Sequence, residues 1–495
     1  MVVVGSGPNG LAAAITVARA GLSVLIVEGA DTPGGGCRTE QLIREGFVHD
    51  LCASAHPLAA VSPFLAPLIA QGRGAWAGVR LLRPEVAVAH PLGGALATSI
   101  SGDPAATAAA LGPDGPAYKK VMTPLVEHLE GLLGAFLAPP GRLVPSPLLP
   151  AAAFTAVGIL PAGLICKALR TEEARALVAG LAAHSVLPLS SSPSSAYGLL
   201  LGALAHAVGW PVVAGGSGQL ARALVEEAVG LGAELQTGCW VSSLKDLPPH
   251  RAVLADLTPR QLVGMAGGSV PSRVSKRLQR FRYGPGVCKV DWALAGPIPW
   301  DAEACRRTAT VHVGGSFAEV ASSEAAAARG GHSGHPFSIL VQPGVVDPSR
   351  APGGAQAAWA YCHVPSGSDT DVSALIEAQV ERFAPGFRDL ILGRFVQTAK
   401  QMERHNPNYV DGDIGSGLAS LGQTLARPTW RWNPYRSGVP GVYLCGASTP
   451  PGGGVHGMCG YWAARTALAD LGLGSDPFEW GSWKTSLLAS VRSQR

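Results

Sequence analysis

The chain has 495 residues, 38 basic and 34 acidic, for a net charge of +4. So mild a balance gives no case for a nucleic-acid binder, and no nucleic-acid partner is expected. Charged residues make up 15%, against about 25% in an average globular protein, and apolar residues 47%, so the chain is expected to fold as two or three domains with much apolar surface to bury.

Val2–Val4 predicts a strand. Gly5-Ser6-Gly7-Pro8-Asn9-Gly10 follows at once, and residues 11–20 predict a helix stopped by Gly21. Residues 22–27 predict a second strand, closed by Glu28. Strand, glycine turn, helix, strand and acid in this order describe a dinucleotide site. Gly5 permits the tight turn, Gly7 the approach of backbone to a pyrophosphate, and Gly10 the packing of helix on strand. Pro8 and Asn9 open the helix, whose free amides and dipole favour phosphate. Glu28 lies 18 residues after Gly10, where a carboxylate accepts hydrogen bonds from a ribose. Gly34-Gly35-Gly36-Cys37-Arg38-Thr39 comes next. A glycine run with an arginine offers backbone donors and a fixed cation to a flavin nucleotide. FAD is therefore the expected cofactor, with Gly35, Gly36, Arg38 and Thr39 among its contacts.

These segments, with Gly46-Phe47-Val48-His49-Asp50, resemble the FAD-binding start of phytoene-desaturase-like and amine-oxidase-like flavoproteins. Residues 382–388 and 406–414 resemble a narrower branch, that of pyridine nucleotide-disulfide oxidoreductase domain-containing protein 2 and its bacterial relatives. The resemblance implies an α/β fold. A Rossmann-type FAD-binding domain is assembled from discontinuous segments, beside a substrate domain of mixed antiparallel sheet and helices. It implies hydride removal from a hydrophobic or extended organic substrate by desaturase, dehydrogenase or oxidase chemistry. Two readings stay open beside it: an amine-oxidase-like oxidase, and an interaction protein with FAD as a structural element.

The chain divides into five segments. Residues 1–75 form the first part of the FAD-binding domain. Residues 76–210 lack alternating strand and helix and read as a helical cap, with helices over 118–137 and 171–183. Residues 211–285 return to the FAD-binding domain through a helix over 219–231, a strand over 233–244 and another after Arg251. Gly216-Ser217-Gly218 imitates a second fingerprint, for NADPH, but the following strand ends in Leu244-Lys245 without an acid. In the resembling family this strand lies beside the adenosine, at Val241 here. Residues 286–434 supply a sheet, with strands over 287–294, 308–313, 338–342 and 357–363 and a helix over 372–383.

Residues 435–495 close the cofactor site. Residues 441–445 predict a strand, Gly446 stops it, and Pro450-Pro451-Gly452-Gly453-Gly454-Val455-His456-Gly457 leads to a helix over 461–471. The resemblance implies FAD contacts at Gly446, Gly453, Gly454 and Val455. It also expects an acid after the strand glycine, where this chain has Ala447. His456 in this turn and His56 in Cys52-Ala53-Ser54-Ala55-His56-Pro57 are the candidate catalytic residues, because imidazole titrates near neutrality. Asp50 is expected to anchor a loop. Oxygen or quinone is the expected electron acceptor.

Nine dispersed cysteines without a CxxC pair suit free thiols in a reducing compartment. A strand starting at residue 2 leads to the expectation of no signal peptide and a cytoplasmic location. Residues 143–166 carry no charge but include Pro145, Pro147, Pro150 and Pro161. They are expected to form apolar helices with peripheral bilayer contact rather than a span. His332 and His335 read as loop residues, and no metal site is expected. The spacing leaves oligomeric state open.

Overall fold

The computed structural model describes residues 1–139 and 148–473. Two sheets organise it. The first is parallel and five-stranded, in the order Val442–Leu444, Val253–Ala255, Val2–Val4, Leu25–Val27, Glu234–Gln236. Three distant parts of the sequence therefore build one nucleotide-binding sheet. Four of its strands are short apolar runs because both faces are covered, which removes any need for polar alternation, while the edge strand Glu234–Gln236 is polar and largely exposed. The helix Pro8–Arg19 follows the first strand, with Pro8 at its start where the missing N–H costs nothing.

The second sheet has seven strands, in the order Ile391–Gln397, Gly286–Leu294, Gln356–Val364, Ser338–Val341, Thr310–Val313, Val88–Gly93, Leu96–Ile100. All pairs are antiparallel except Thr310–Val313 beside Val88–Gly93, where Val311 faces Ala89 in parallel. Gly286–Leu294 is buried along its whole length. Its alternation sends Cys288, Val290, Trp292 and Leu294 into the apolar core that includes Ile376, Val380 and Phe383 of the helix Ser373–Phe383. The opposite face carries Lys289 and Asp291, paired at 2.5 Å and fully buried.

The structure corrects four expectations. The cap region is not purely helical, since residues 88–100 form a hairpin on the edge of the large sheet. Gly93 and Gly94, at φ +138° and +51°, make its turn. The helix expected over 118–137 is two, Gly115–Glu127 and Leu129–Phe136, parted at His128. The strand expected over 233–244 stops at Gln236, because Gly238 at φ +65° turns the chain away. The edge strand Ile391–Gln397, half exposed and without clean alternation, was not anticipated. Within the uncharged stretch, Pro145 and Pro147 lie outside the described residues. The helical parts Pro150–Gly158 and Ala162–Ala168 bend by 96° to each other, and no single helix among the described residues is long and apolar enough to cross a membrane. All nine cysteines are unpaired.

The helix Met458–Asp470 packs across Pro8–Arg19 and brings the far end of the chain onto the glycine turn. A Cβ on Gly460 would fall 1.7 Å from the Asn9 carbonyl oxygen, so the crossing is as close as two backbones allow.

Candidate active site

A cleft of about 670 Å³ runs between the carboxyl ends of the parallel sheet and the inner face of the large sheet. This is where open α/β sheets bind ligands, and the volume suits a cofactor with substrate space beside it. Gly5, at φ +96°, turns the chain out of the first strand. A Cβ on Gly10 would lie 2.2 Å from the Gly5 carbonyl oxygen, so the turn closes only on glycine. Gly5, Gly7, Pro8, Asn9, Glu28, Gly35, Gly36, Arg38, Val241, Gly446, Gly453, Gly454 and Val455 all line this one cleft.

Two of the expected cofactor residues do not. Thr39 donates from Oγ1 to Asp50 Oδ1 at 2.7 Å and accepts the Gly218 amide at 2.8 Å, which places it behind the wall. Gly10 also sits behind the surface, with its amide bonded to Asp256 Oδ2 at 2.9 Å. Glu28 is at the cleft and holds the glycine turn as well. Its Oε2 accepts from the Ser6 amide at 2.8 Å and the Ser6 hydroxyl at 2.6 Å, and its Oε1 from the Ala30 amide at 2.9 Å. Arg38 donates to the Gly35 carbonyl at 3.1 Å and to His405 Nε2 at 2.7 Å. Its charge joins burial in holding His405 down to about 4, so His405 is neutral and accepts this bond.

Neither candidate catalytic histidine lines the cleft. His456 is buried; its Nε2 donates to the Gly452 carbonyl at 3.2 Å and its Nδ1 accepts the Met458 amide at 3.0 Å. Both ring nitrogens are used to shape the closing turn. His56 is also buried and donates from Nε2 to Ser217 Oγ at 2.7 Å, while that hydroxyl donates to the Ala53 carbonyl. Burial holds both imidazoles near pKa 4. The catalytic expectation for this pair is corrected: a neutral, enclosed ring with its proton committed to a neighbour packs the fold. Spacing alone cannot separate such a ring from one facing a cofactor.

Asp50 anchors a loop as expected. It accepts from Thr39, Ser54 and the Ser217 amide, and pairs with Arg350 at 3.1 Å. Gly216-Ser217-Gly218 serves this network and lies off the cleft. Among the described residues no group of His, Cys, Asp and Glu is arranged to hold a metal, and His332 bonds only to Ser368 Oγ at 3.0 Å.

The sequence reading missed Asp256, at the end of the strand Val253–Ala255. Its carboxyl lies directly under the glycine turn: a Cβ on Gly7 would meet its Oδ2 at 2.6 Å, and one on Gly446 its Oδ1 at 3.0 Å. Asn408 ties in the same place, donating to the Asp256 carbonyl at 2.9 Å and accepting the Thr258 amide at 3.1 Å. An acid at the end of a predicted strand was the available signal. Burial lifts Asp256 to about 7, against the Gly10 and Gly7 amides that favour its charge, with Glu28 lifting it further. A raised folded pKa stabilises the fold at low pH, and that stability is lost as pH rises through about 7. Asp256→Asn keeps an oxygen for the Gly10 amide and cannot ionise. Thermal melts of the ligand-free protein from pH 5 to 8 should show wild type losing stability towards pH 8 relative to the variant; parallel curves would refute this assignment.

The far end of the cleft is aromatic. Trp210, Trp359, Tyr361, Ile339, Val341, Thr310 and His184 line it. Trp359 and Tyr361 stack at 5.9 Å with 15° between their planes. His184 contacts His312 through their Nε2 atoms at 2.9 Å and stands edge-on to Trp210 at 5.3 Å. Burial holds His184 down to about 3, so it is neutral. The carboxylates lining the cleft, Glu28 and Asp256, both belong to the glycine-turn end.

Comparison with known proteins agrees with this geometry. Residues 3–68 match the NAD(P)-binding Rossmann-like domain family. Pyridine nucleotide-disulfide oxidoreductase domain-containing protein 2 of Rattus norvegicus is 28% identical over 60% of this chain and 59% of its own length. The chain is a homologue of that protein. It spans about three fifths of this curated relative. A limonene dehydrogenase component from Castellaniella defragrans is 33% identical over 24% of this chain and 21% of its own. Among solved structures, an oxidoreductase from Methanosarcina mazei superposes with a TM-score of 0.63 at 14% identity, covering 94% of this chain and 99% of that one. Cyclohexylamine oxidase from Brevibacterium oxydans gives 0.56 at 16% identity, covering 95% and 99%. The homologue thus carries the amine-oxidase-type flavoenzyme fold. Its glycine-turn end matches a nucleotide-binding domain family, which suits a flavin or nucleotide cofactor.

Proposed function

We propose that this chain is an FAD-dependent oxidoreductase that takes a hydride from a neutral, hydrophobic or extended organic substrate, with oxygen or quinone as acceptor. One observation carries the reading: the cleft joins a glycine-cradled nucleotide end to an aromatic chamber whose lining, among the described residues, includes no carboxylate. The residues present fit FAD. The Gly7 to Asn9 turn would hold a pyrophosphate by its backbone, Glu28 at the cleft would accept from a ribose hydroxyl, and Gly35, Gly36 and Arg38 would continue the cradle. Gly446, Ala447, Gly453, Gly454 and Val455 close it with backbone alone, so the missing acid at Ala447 removes no backbone donor. When bound, the flavin supplies the two-electron redox chemistry.

The protein's own part is to bind, orient and exclude water. Trp210, Trp359 and Tyr361 give an apolar substrate flat surfaces. Neutral His184 offers a hydrogen bond to a polar group without charge. An alkylammonium ion would find no carboxylate lining that end among the described residues, and desolvating it unpaired is costly. This favours a neutral substrate over the amine-oxidase reading. The partial similarity to a limonene dehydrogenase, whose name specifies an apolar terpene, is consistent with it.

The test is anaerobic mixing of the flavin-loaded protein with a terpene or polyene and with an aliphatic diamine. Bleaching of the flavin by the neutral compound alone is expected. Bleaching by the diamine alone supports the amine-oxidase reading, and bleaching by neither any lipid, polyene nor amine supports a flavin-bearing interaction protein. Stopped-flow reoxidation then separates oxygen from quinone. A protein that neither purifies with flavin nor takes it up overturns the proposal.

A further inference from the structure

Residues 272–282 carry Arg273, Lys276, Arg277, Arg280 and Arg282 and no acid. This dense basic tract is hidden in the whole-chain charge balance. The structure places the first three on the helix Ser272–Leu278, and all five are exposed. None of the five has an ion-pair partner among the described residues. A second segment lies against this helix. Val274 and Arg431 both reach Gly438, where a Cβ would meet Val274 at 2.9 Å and Arg431 at 2.6 Å. The Arg277 charge joins burial in lowering the Arg431 guanidinium below its usual value, a sign that like charges stand together here. Arg282 and Gln423 exchange hydrogen bonds at 3.0 and 2.8 Å, which adds the short helix Leu421–Leu425 to the same surface.

The second segment is apolar where the first is cationic. Trp432 is 99% exposed and Trp430 81%, the two most exposed large apolar side chains among the described residues, and Leu425 is 60% exposed. Isolated exposed apolar residues are ordinary, but paired indoles projecting from one loop beside an uncompensated cation cluster are not. Indole is the side chain that settles at a membrane–water boundary, with an apolar body and one N–H for the headgroups. Arginine and lysine at the same level attract anionic lipid.

We propose that this face, formed by residues 272–282 and 421–432, docks the protein reversibly on an anionic lipid bilayer. Two signals of different kinds are what peripheral attachment needs, because one alone is marginal. Leu425 favours lipid over nucleic acid, since an aliphatic side chain meets acyl chain at a bilayer and gains nothing from a phosphate–sugar backbone. The face also adjoins the cleft. The helix Pro259–Ala266 packs on Ser272–Leu278 and supplies Gln261, Gly264 and Met265 to the cleft lining. The surface differs from the apolar helices around residues 148–168 that composition singles out, and it does not depend on which substrate is oxidised.

The experiment is co-sedimentation of the full chain with two vesicle types. One is phosphatidylcholine alone; the other is three parts phosphatidylcholine to one part phosphatidylglycerol. Binding at least about tenfold stronger to the mixed vesicles is expected, weakening as salt is raised. Tryptophan emission should shift to shorter wavelength on binding. The double variant Trp430→Ser, Trp432→Ser should lose at least about tenfold in binding to the mixed vesicles. The triple variant Arg273→Gln, Arg277→Gln, Arg280→Gln should lose the preference for anionic lipid. All these side chains are exposed, so unchanged melting temperatures are expected to accompany the losses. Equal binding to both vesicle types, binding to neither, undiminished binding by both variants, or retention on single-stranded DNA with no vesicle binding overturns the proposal.

Discussion

Replacing Gly460 with alanine is expected to destabilise the protein by about 3 kcal/mol or more and to weaken its hold on the proposed flavin. Overpacking in a well-filled core costs about 1–3 kcal/mol where side chains can adjust. Here the added Cβ would lie 1.7 Å from the Asn9 carbonyl and 2.9 Å from the Ala13 amide, both backbone atoms of Pro8–Arg19. Backbone has no rotamer to escape into, so one helix must move off the other. Pro8 and Asn9 line the cleft, and that movement distorts the turn they belong to. Circular-dichroism melts and the flavin retained through gel filtration measure the two effects. A variant as stable and as yellow as wild type would show that the crossing is looser than described. Alanine at Gly134, inside the helix Leu129–Phe136 and off the cleft, where a Cβ meets nothing within 4 Å, is the control for substitution itself.

Arg350→Met is expected to cost about 3–5 kcal/mol, the usual penalty for removing one partner of a buried ion pair. The guanidinium is fully buried and binds Asp347 at 2.8 Å, Asp50 at 3.1 Å and the Val213 carbonyl at 3.1 Å. It ties three segments far apart in sequence. Burial raises both carboxyls, yet both lie below their usual values: at Asp50 the Arg350 charge leads, helped by Ser54, the Ser217 amide and Thr39, while at Asp347 the Ser349 hydroxyl and the Gly215 amide lead and Arg350 adds to them. Carboxyls depressed in this way stabilise wild type above their unfolded pKa, and that stability is lost as pH falls through the folded values. The variant reverses the sign. Asp50, buried without the cation that does most to lower it, is expected to hold its proton more tightly folded than unfolded, so the variant loses stability as pH rises. Its deficit against wild type should therefore be smaller at pH 5 than at pH 8. Denaturant unfolding at the two pH values checks this; an equal deficit at both would assign the loss to packing alone.

The parts of the site that were legible in the sequence are those made by local chain. Gly5 to Glu28 is a continuous strand, turn, helix and strand, and its residue types follow from geometry that any dinucleotide imposes. The same holds for Gly34 to Arg38 and for Gly446 to Val455, where strand and helix flank each turn. Val241 was reached by resemblance, and it lies at the cleft although its expected strand ends at Gln236. What failed were statements about direction. His56 and His456 sit within a few residues of cleft-lining backbone, yet their rings point into the packed interior. A side chain's heading depends on neighbours hundreds of residues away, such as Ser217 for His56, and no local pattern records it.

The same distinction separates the aromatic chamber from the glycine cradle. His184, Trp210, Trp359 and Tyr361 come from a helix end, a loop and one strand. Only the order of the seven-stranded sheet and the packing of the cap helices bring them to one cavity. Residues 2–39 alone determined the nucleotide-binding type of turn, because its shape is set by backbone within a few residues. Tertiary structure decided that Gly446 to Val455 completes the same cleft and that Asp256 lies beneath both. It also decided that both carboxylates lining the cleft stand at the glycine-turn end, away from the aromatic chamber. Burial, charge pairing and side-chain direction are properties of contacts between distant segments, and they exist only once the chain has folded.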